Sequence, residues 1–159
     1  MTKYFTFREF YILILVLSIV VIVAAIYIQY VIGAIPCSLC KYQRIPYIIS
    51  IFICILGLKY FKSNLLKYLL ILIFIISFIL SAYHFGIENN IFPELSSCTS
   101  SNLNILEKEE LLQSLKDIPP NCKDVNFKIL NLSLATFNVL ISLSVVIISI
   151  ILLIYEKNR

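Results

Sequence analysis

Five cysteines carry most of the chemistry this chain can offer: Cys37, Cys40, Cys54, Cys98 and Cys122. Cys37 and Cys40 form a Cys-x-x-Cys around Ser38 and Leu39, and Cys98 and Cys122 lie 24 positions apart. Paired thiols staple a fold, cycle between dithiol and disulfide, or bind a soft metal. A plain staple suits Cys98 and Cys122 well enough. It suits Cys37 and Cys40 poorly, because closing so short a loop removes little chain entropy. A pair that opens and shuts fits better there. Four cysteines allow three connectivities, and exchange between the two pairs is chemically plausible. A zinc site built on Cys37 and Cys40 would need its second half from Cys98, Cys122 or His84. Their spacing is not a second Cys-x-x-Cys, so no metal is expected. Haem attachment needs His after the second cysteine, and Lys41 stands there. Cys54 lies within an apolar block and reads as a small buried apolar residue.

Three polar residues belong with these thiols. Arg44 follows Cys40 by four positions, so a helix starting there puts both on one face. A cation so placed favours a thiolate, or an oxyanion on a bound acceptor; the plainer reading is an interfacial Arg reaching lipid headgroups. His84, the single histidine, precedes Glu88 by four positions. Alone it would read as a satisfied interfacial residue; with Glu88 one turn on, the pair could relay protons to a reducible ligand.

The elements that must position these residues are membrane helices. The chain has 159 residues, is 60% hydrophobic and has a mean hydropathy of +0.96, with the excess gathered in long uncharged blocks. Four spans are expected, over about 10–32, 42–60, 65–85 and 127–155. The first is too long for a signal-peptide core and is read as an uncleaved helix. The fold expected is an all-α, four-transmembrane-helix bundle forming a single domain. External loops run over about 33–44 and 86–126. Within the second, Leu103, Leu106, Leu111, Leu112 and Leu115 alternate with charges and Pro119–Pro120 closes the segment, which predicts a short amphipathic helix. It lies on the membrane surface or packs, solvated, on the bundle.

Orientation follows from Lys and Arg near the span ends. Lys3, Arg8, Lys59, Lys62, Lys67, Lys157 and Arg159 fall on one side, while residues 86–126 carry seven acids against Lys108, Lys116 and Lys123. Both termini are therefore expected in the cytoplasm, with the four loop cysteines outside. The net charge of +4 makes no clustered basic face, so no nucleic acid partner is expected.

Pro36-Cys37-Ser38-Leu39-Cys40-Lys41-Tyr42-Gln43-Arg44-Ile45-Pro46 resembles the DsbB family of disulfide bond formation proteins. So do Tyr83-His84-Phe85-Gly86-Ile87-Glu88, Pro93-Glu94-Leu95-Ser96-Ser97-Cys98 and Ser133-Leu134-Ala135-Thr136-Phe137-Asn138, so the likeness covers nearly the whole chain. It implies a multi-pass protein of the bacterial inner membrane, a quinone-dependent protein-disulfide oxidoreductase serving protein folding. Cys98 would form the mixed disulfide with a periplasmic DsbA-type thioredoxin-like partner. Cys122 would be its disulfide mate and exchange with Cys37. Cys40 would face the quinone, with Arg44 beside the quinone oxygen and His84 and Glu88 near its ring. Family members often carry Gln at the position of Glu88 and an apolar or aromatic residue at that of Lys41, which is not expected to be catalytic. A DsbA-like donor, with a potential near about −120 mV, is too oxidising for glutathione to keep oxidised, and a membrane quinone can do so. The long second loop resembles Gram-negative members, which favours ubiquinone over menaquinone. The alternatives are a metal-binding protein using Cys37, Cys40 and His84, or a structural bundle with inert external disulfides.

Overall fold

The computed structural model describes residues 6–60, 62–93, 122–123, 128–129 and 132–158. Cys98 and the expected amphipathic helix lie outside the described residues. In chain order the elements are α1 (Phe7–Tyr30), α2 (Ser38–Tyr42), α3 (Arg44–Lys59), α4 (Asn64–Glu88), β1 (Lys128–Ile129), β2 (Leu132–Ser133) and α5 (Leu134–Lys157). Four helices, α2 and α3 counting as one across Ser38–Lys59, are long and apolar enough to cross a membrane. The fold is all-α, and a 24-residue helix such as α1 reaches about 36 Å, enough for a hydrocarbon core of about 30 Å.

Local chemistry sets the helix ends. Glu9 accepts from the Thr6 N–H at 3.0 Å, closing the first turn of α1. Pro46 falls in the first turn of α3, where its missing N–H costs nothing. Past Glu88, Asn90 takes a left-handed φ of 58°, a stop that Asn tolerates better than most residues. The two-residue strands pair antiparallel, Lys128 with Ser133 and Ile129 with Leu132. Helix α5 then begins at Leu134, inside the apolar block that opens near Phe127, because Ser133 caps it: its Oγ accepts from the Thr136 N–H at 3.2 Å.

Around an apolar core that includes Phe10, Tyr11, Tyr47, Leu70 and Phe74, the packing turns many further apolar side chains outward and buries small polar ones. Ile12, Val16, Val20 and Val23 of α1 face outward, whereas Ser18, Ser50, Ser77, Ser142 and Ser149 are buried. Only 17% of the most apolar stretch of α1 is buried, so its hydrophobicity serves lipid rather than the core. Small polar residues also join the helices. Ser18 Oγ meets Ser50 Oγ at 2.7 Å between α1 and α3, and Ser77 Oγ meets Ser142 Oγ at 2.9 Å between α4 and α5. Helix α1 packs on α3, α3 on α4, and α4 on α5. The seam between α5 and α1 holds two cavities of about 240 and 250 Å³, both bordered by Ile141. At the end far from Cys37, buried Lys67 of α4 pairs with Glu156 of α5, and its Nζ lies 4.6 Å from the ring centre of Phe7 on α1.

Candidate active site

Cys37 is the N-cap of α2, and its Sγ accepts from the Cys40 N–H at 3.3 Å. The two sulfurs are free thiols 2.9 Å apart and share a hydrogen bond. Either sulfur can donate in the neutral pair; once Cys37 ionises, Cys40 must. That hydrogen bond from Cys40 is the main cause lowering the Cys37 pKa below the ordinary thiol range; burial opposes it and His84 adds to the lowering. Cys37 is therefore the first of the pair to become a thiolate.

His84 reaches this site from the last turns of α4. Its Nε2 lies 3.7 Å from Cys37 Sγ and 3.6 Å from Glu88 Oε1. The backbone of Cys122 lies against the same imidazole. Cys122 is disulfide-bonded, buried, and packed with Cys37, Leu39 and Ile87. Cys37, Cys40, Arg44, His84, Glu88 and Cys122 all border the 240 Å³ cavity between α1 and α5. Of the seven residues singled out in the sequence, six meet here and Cys98 is outside the described residues. The Arg44 guanidinium donates through Nη1 to Gln29 Oε1 of α1 at 2.6 Å, so its hydrogen bond ties the cavity wall together rather than reaching a thiol. Cys54 is fully buried in the central core, among Tyr11, Ile53 and Phe74.

Sequence reasoning missed the polar residues beneath the thiols. Gln43, in the turn between α2 and α3, places Nε2 3.0 Å from His84 Nδ1. Asn138 of α5 donates through Nδ2 to Gln43 Oε1 at 3.2 Å, and Tyr47 of α3 donates its hydroxyl to Asn138 Oδ1 at 2.5 Å. A signal existed: an Asn inside an uncharged span is expensive there and usually faces a partner.

Two free thiols beside a disulfide-bonded cysteine, at one end of a cavity between spanning helices, suit thiol–disulfide exchange. A model of the family "Disulfide bond formation protein DsbB" matches residues 7–152. The chain belongs to the DsbB family. It is thus a membrane protein of disulfide oxidoreductase type. It is also similar to the Uncharacterized protein RP370 of Rickettsia prowazekii (strain Madrid E), with 32% identity over 148 residues, covering 90% of this chain and 86% of that protein. Among the described residues, the ligand atoms of Cys37, Cys40 and His84 lie within 4.8 Å of one another, close enough for one soft metal ion.

Proposed function

We propose that this DsbB-family protein is a membrane thiol oxidase that reoxidises a periplasmic DsbA-like disulfide donor and passes the electrons to a membrane quinone. The observation that carries this reading is the shared cavity: the Cys37 and Cys40 thiols stand at the polar end of a mostly apolar space between α1 and α5. Val21, Ala24, Ala25, Ile28 and Ile141 supply apolar walls for a ring and the start of a prenyl tail, while Arg44, His84 and Glu88 supply polar contacts for the ring oxygens.

The reduced donor attacks a Cys98–Cys122 disulfide at Cys98, and its second thiol resolves the mixed disulfide, leaving Cys98 and Cys122 as thiols. Cys122 then attacks a Cys37–Cys40 disulfide at Cys37, and Cys98 resolves that bond, leaving Cys37 and Cys40 reduced. Two electrons and two protons pass from this dithiol to a quinone, giving a hydroquinone and restoring the Cys37–Cys40 disulfide. Cys40 is the thiol that meets the acceptor, with Arg44 beside the acceptor oxygen. Ubiquinone is the expected acceptor ahead of menaquinone. The protein sits in the bacterial inner membrane with both termini in the cytoplasm, which puts the cysteine end of the bundle on the periplasmic side.

The test is quinone absorbance in a mixture of purified protein, reduced thioredoxin-like donor and ubiquinone. Wild type should bleach the quinone, and Cys40→Ser should not; retained turnover in Cys40→Ser would remove this reading. The clustering of Cys37, Cys40 and His84 supports a second reading, a metal centre. Elemental analysis separates the two, since stoichiometric zinc or copper in the purified protein would favour the metal.

A further inference from the structure

Beneath the thiols, four buried side chains form a chain with a direction. Tyr47 Oη donates to Asn138 Oδ1 at 2.5 Å, and Ser142 Oγ reaches the same oxygen at 3.2 Å. Asn138 Nδ2 donates to Gln43 Oε1 at 3.2 Å, and Gln43 Nε2 ends 3.0 Å from His84 Nδ1. A carboxamide donates at one end and accepts at the other, so fixing one link fixes the next. The phenol is the most acidic hydroxyl in the chain and the natural donor, so the chain runs from Tyr47 toward the imidazole. Its last link delivers an N–H to Nδ1, which must then be the bare nitrogen of the neutral ring. The far side of the ring fits the same tautomer. Nε2 faces Cys37 Sγ at 3.7 Å and Glu88 Oε1 at 3.6 Å, both acceptors once ionised. A ring with its proton on Nε2 turns its bare nitrogen toward Gln43 and its N–H toward the side of Cys37 and Glu88.

We infer that Gln43 and Asn138 are positioning residues that hold His84 as the Nε2–H tautomer, so that the imidazole presents a donor to Cys37, with Glu88 on the same side of the ring. The geometry stands by itself; its part in turnover rests on the proposed thiol oxidase, where a donor at that place stabilises the Cys37 thiolate whenever the Cys37–Cys40 disulfide is opened. It also accounts for the polar chain itself. Four polar side chains in a membrane bundle are costly unless each is partnered, and a fully connected chain meets that condition.

His84 is the only histidine, so selective nitrogen-15 labelling of histidine in the reduced full-length protein gives a single imidazole. Recorded where the ring is neutral, wild type should show a bare Nδ1 and a protonated Nε2. Gln43→Met keeps the side-chain length but removes the donor. It should mix the tautomers and slow iodoacetamide alkylation of Cys37 at fixed pH by roughly 3- to 10-fold, the worth of about one hydrogen bond. Tyr47→Phe, which keeps the packing, should shift both readouts the same way by less. A wild-type ring protonated on Nδ1 would overturn the inference. So would an unchanged tautomer in both variants. Neither readout uses quinone or donor protein. Absent quinone reduction would therefore remove the proposed function and leave the chain standing, and a reversed tautomer would do the opposite.

Discussion

Cys37 and Cys40 do not ionise alike, and the inequality has a pH signature. The folded pKa of Cys37 is lowered, chiefly by the Cys40 thiol and secondarily by His84. An acid with a lowered folded pKa stabilises the reduced fold at pH above the ordinary thiol value of about 8.5, and that contribution is lost as pH falls through the lowered value. Iodoacetamide should therefore modify Cys37 in the reduced protein well below pH 8, mapped by mass spectrometry, before it reaches buried Cys54. The order of the causes predicts more. Cys40→Ala should raise the pH midpoint of Cys37 alkylation further than His84→Phe does; the reverse order would mean that the imidazole, not the neighbouring thiol, governs Cys37. The cysteines were legible in the sequence because a Cys-x-x-Cys declares itself over four positions. The Gln43–Asn138 contact was not, because its partners are 95 residues apart and only closure of the bundle brings them together.

Helix pairs are fitted by specific small residues. A Cβ added to Gly57 of α3 would run into the ring of Tyr11 on α1. Gly57→Ala should therefore destabilise the protein by about 1–3 kcal/mol, read as a lower thermal midpoint in detergent. Tyr11 also buries its hydroxyl with no hydrogen-bond partner among the described residues. Tyr11→Phe should in consequence be neutral or stabilising by about 1 kcal/mol in the same assay, since it removes an unpaired polar group without changing the ring. Spans were readable from uncharged length alone, which is a compositional property. Helix starts were less so. Nothing in the apolar run beginning near Phe127 marks Leu134 as the first helical residue except Ser133, and a Ser becomes a cap only when the chain before it turns away, as the β1–β2 pairing makes it do.

Among the described residues, the bundle is fastened at one end and open along one side. Lys67, Glu156 and Phe7 tie α4, α5 and α1 together at the end away from the thiols. Glu156→Gln leaves the Lys67 charge buried without its anion. Because Glu156 is itself 50% exposed, the loss should be on the order of 1–2 kcal/mol rather than the larger cost of a fully buried pair, again as a lower thermal midpoint. The positive-inside count took Lys67 only as a charge near a span end; the structure buries it, a distinction that charge counting cannot make. The cavities on the α1–α5 seam, bordered by side chains that also face outward such as Leu13, Ala24 and Leu140, put the bilayer in the role of reagent bottle. A prenylated acceptor entering there is dosed by its mole fraction in lipid, not by its molarity in the tube. With protein and quinone held constant, adding empty quinone-free vesicles that fuse with the sample should slow turnover in proportion to the added lipid, although nothing in the aqueous phase has changed.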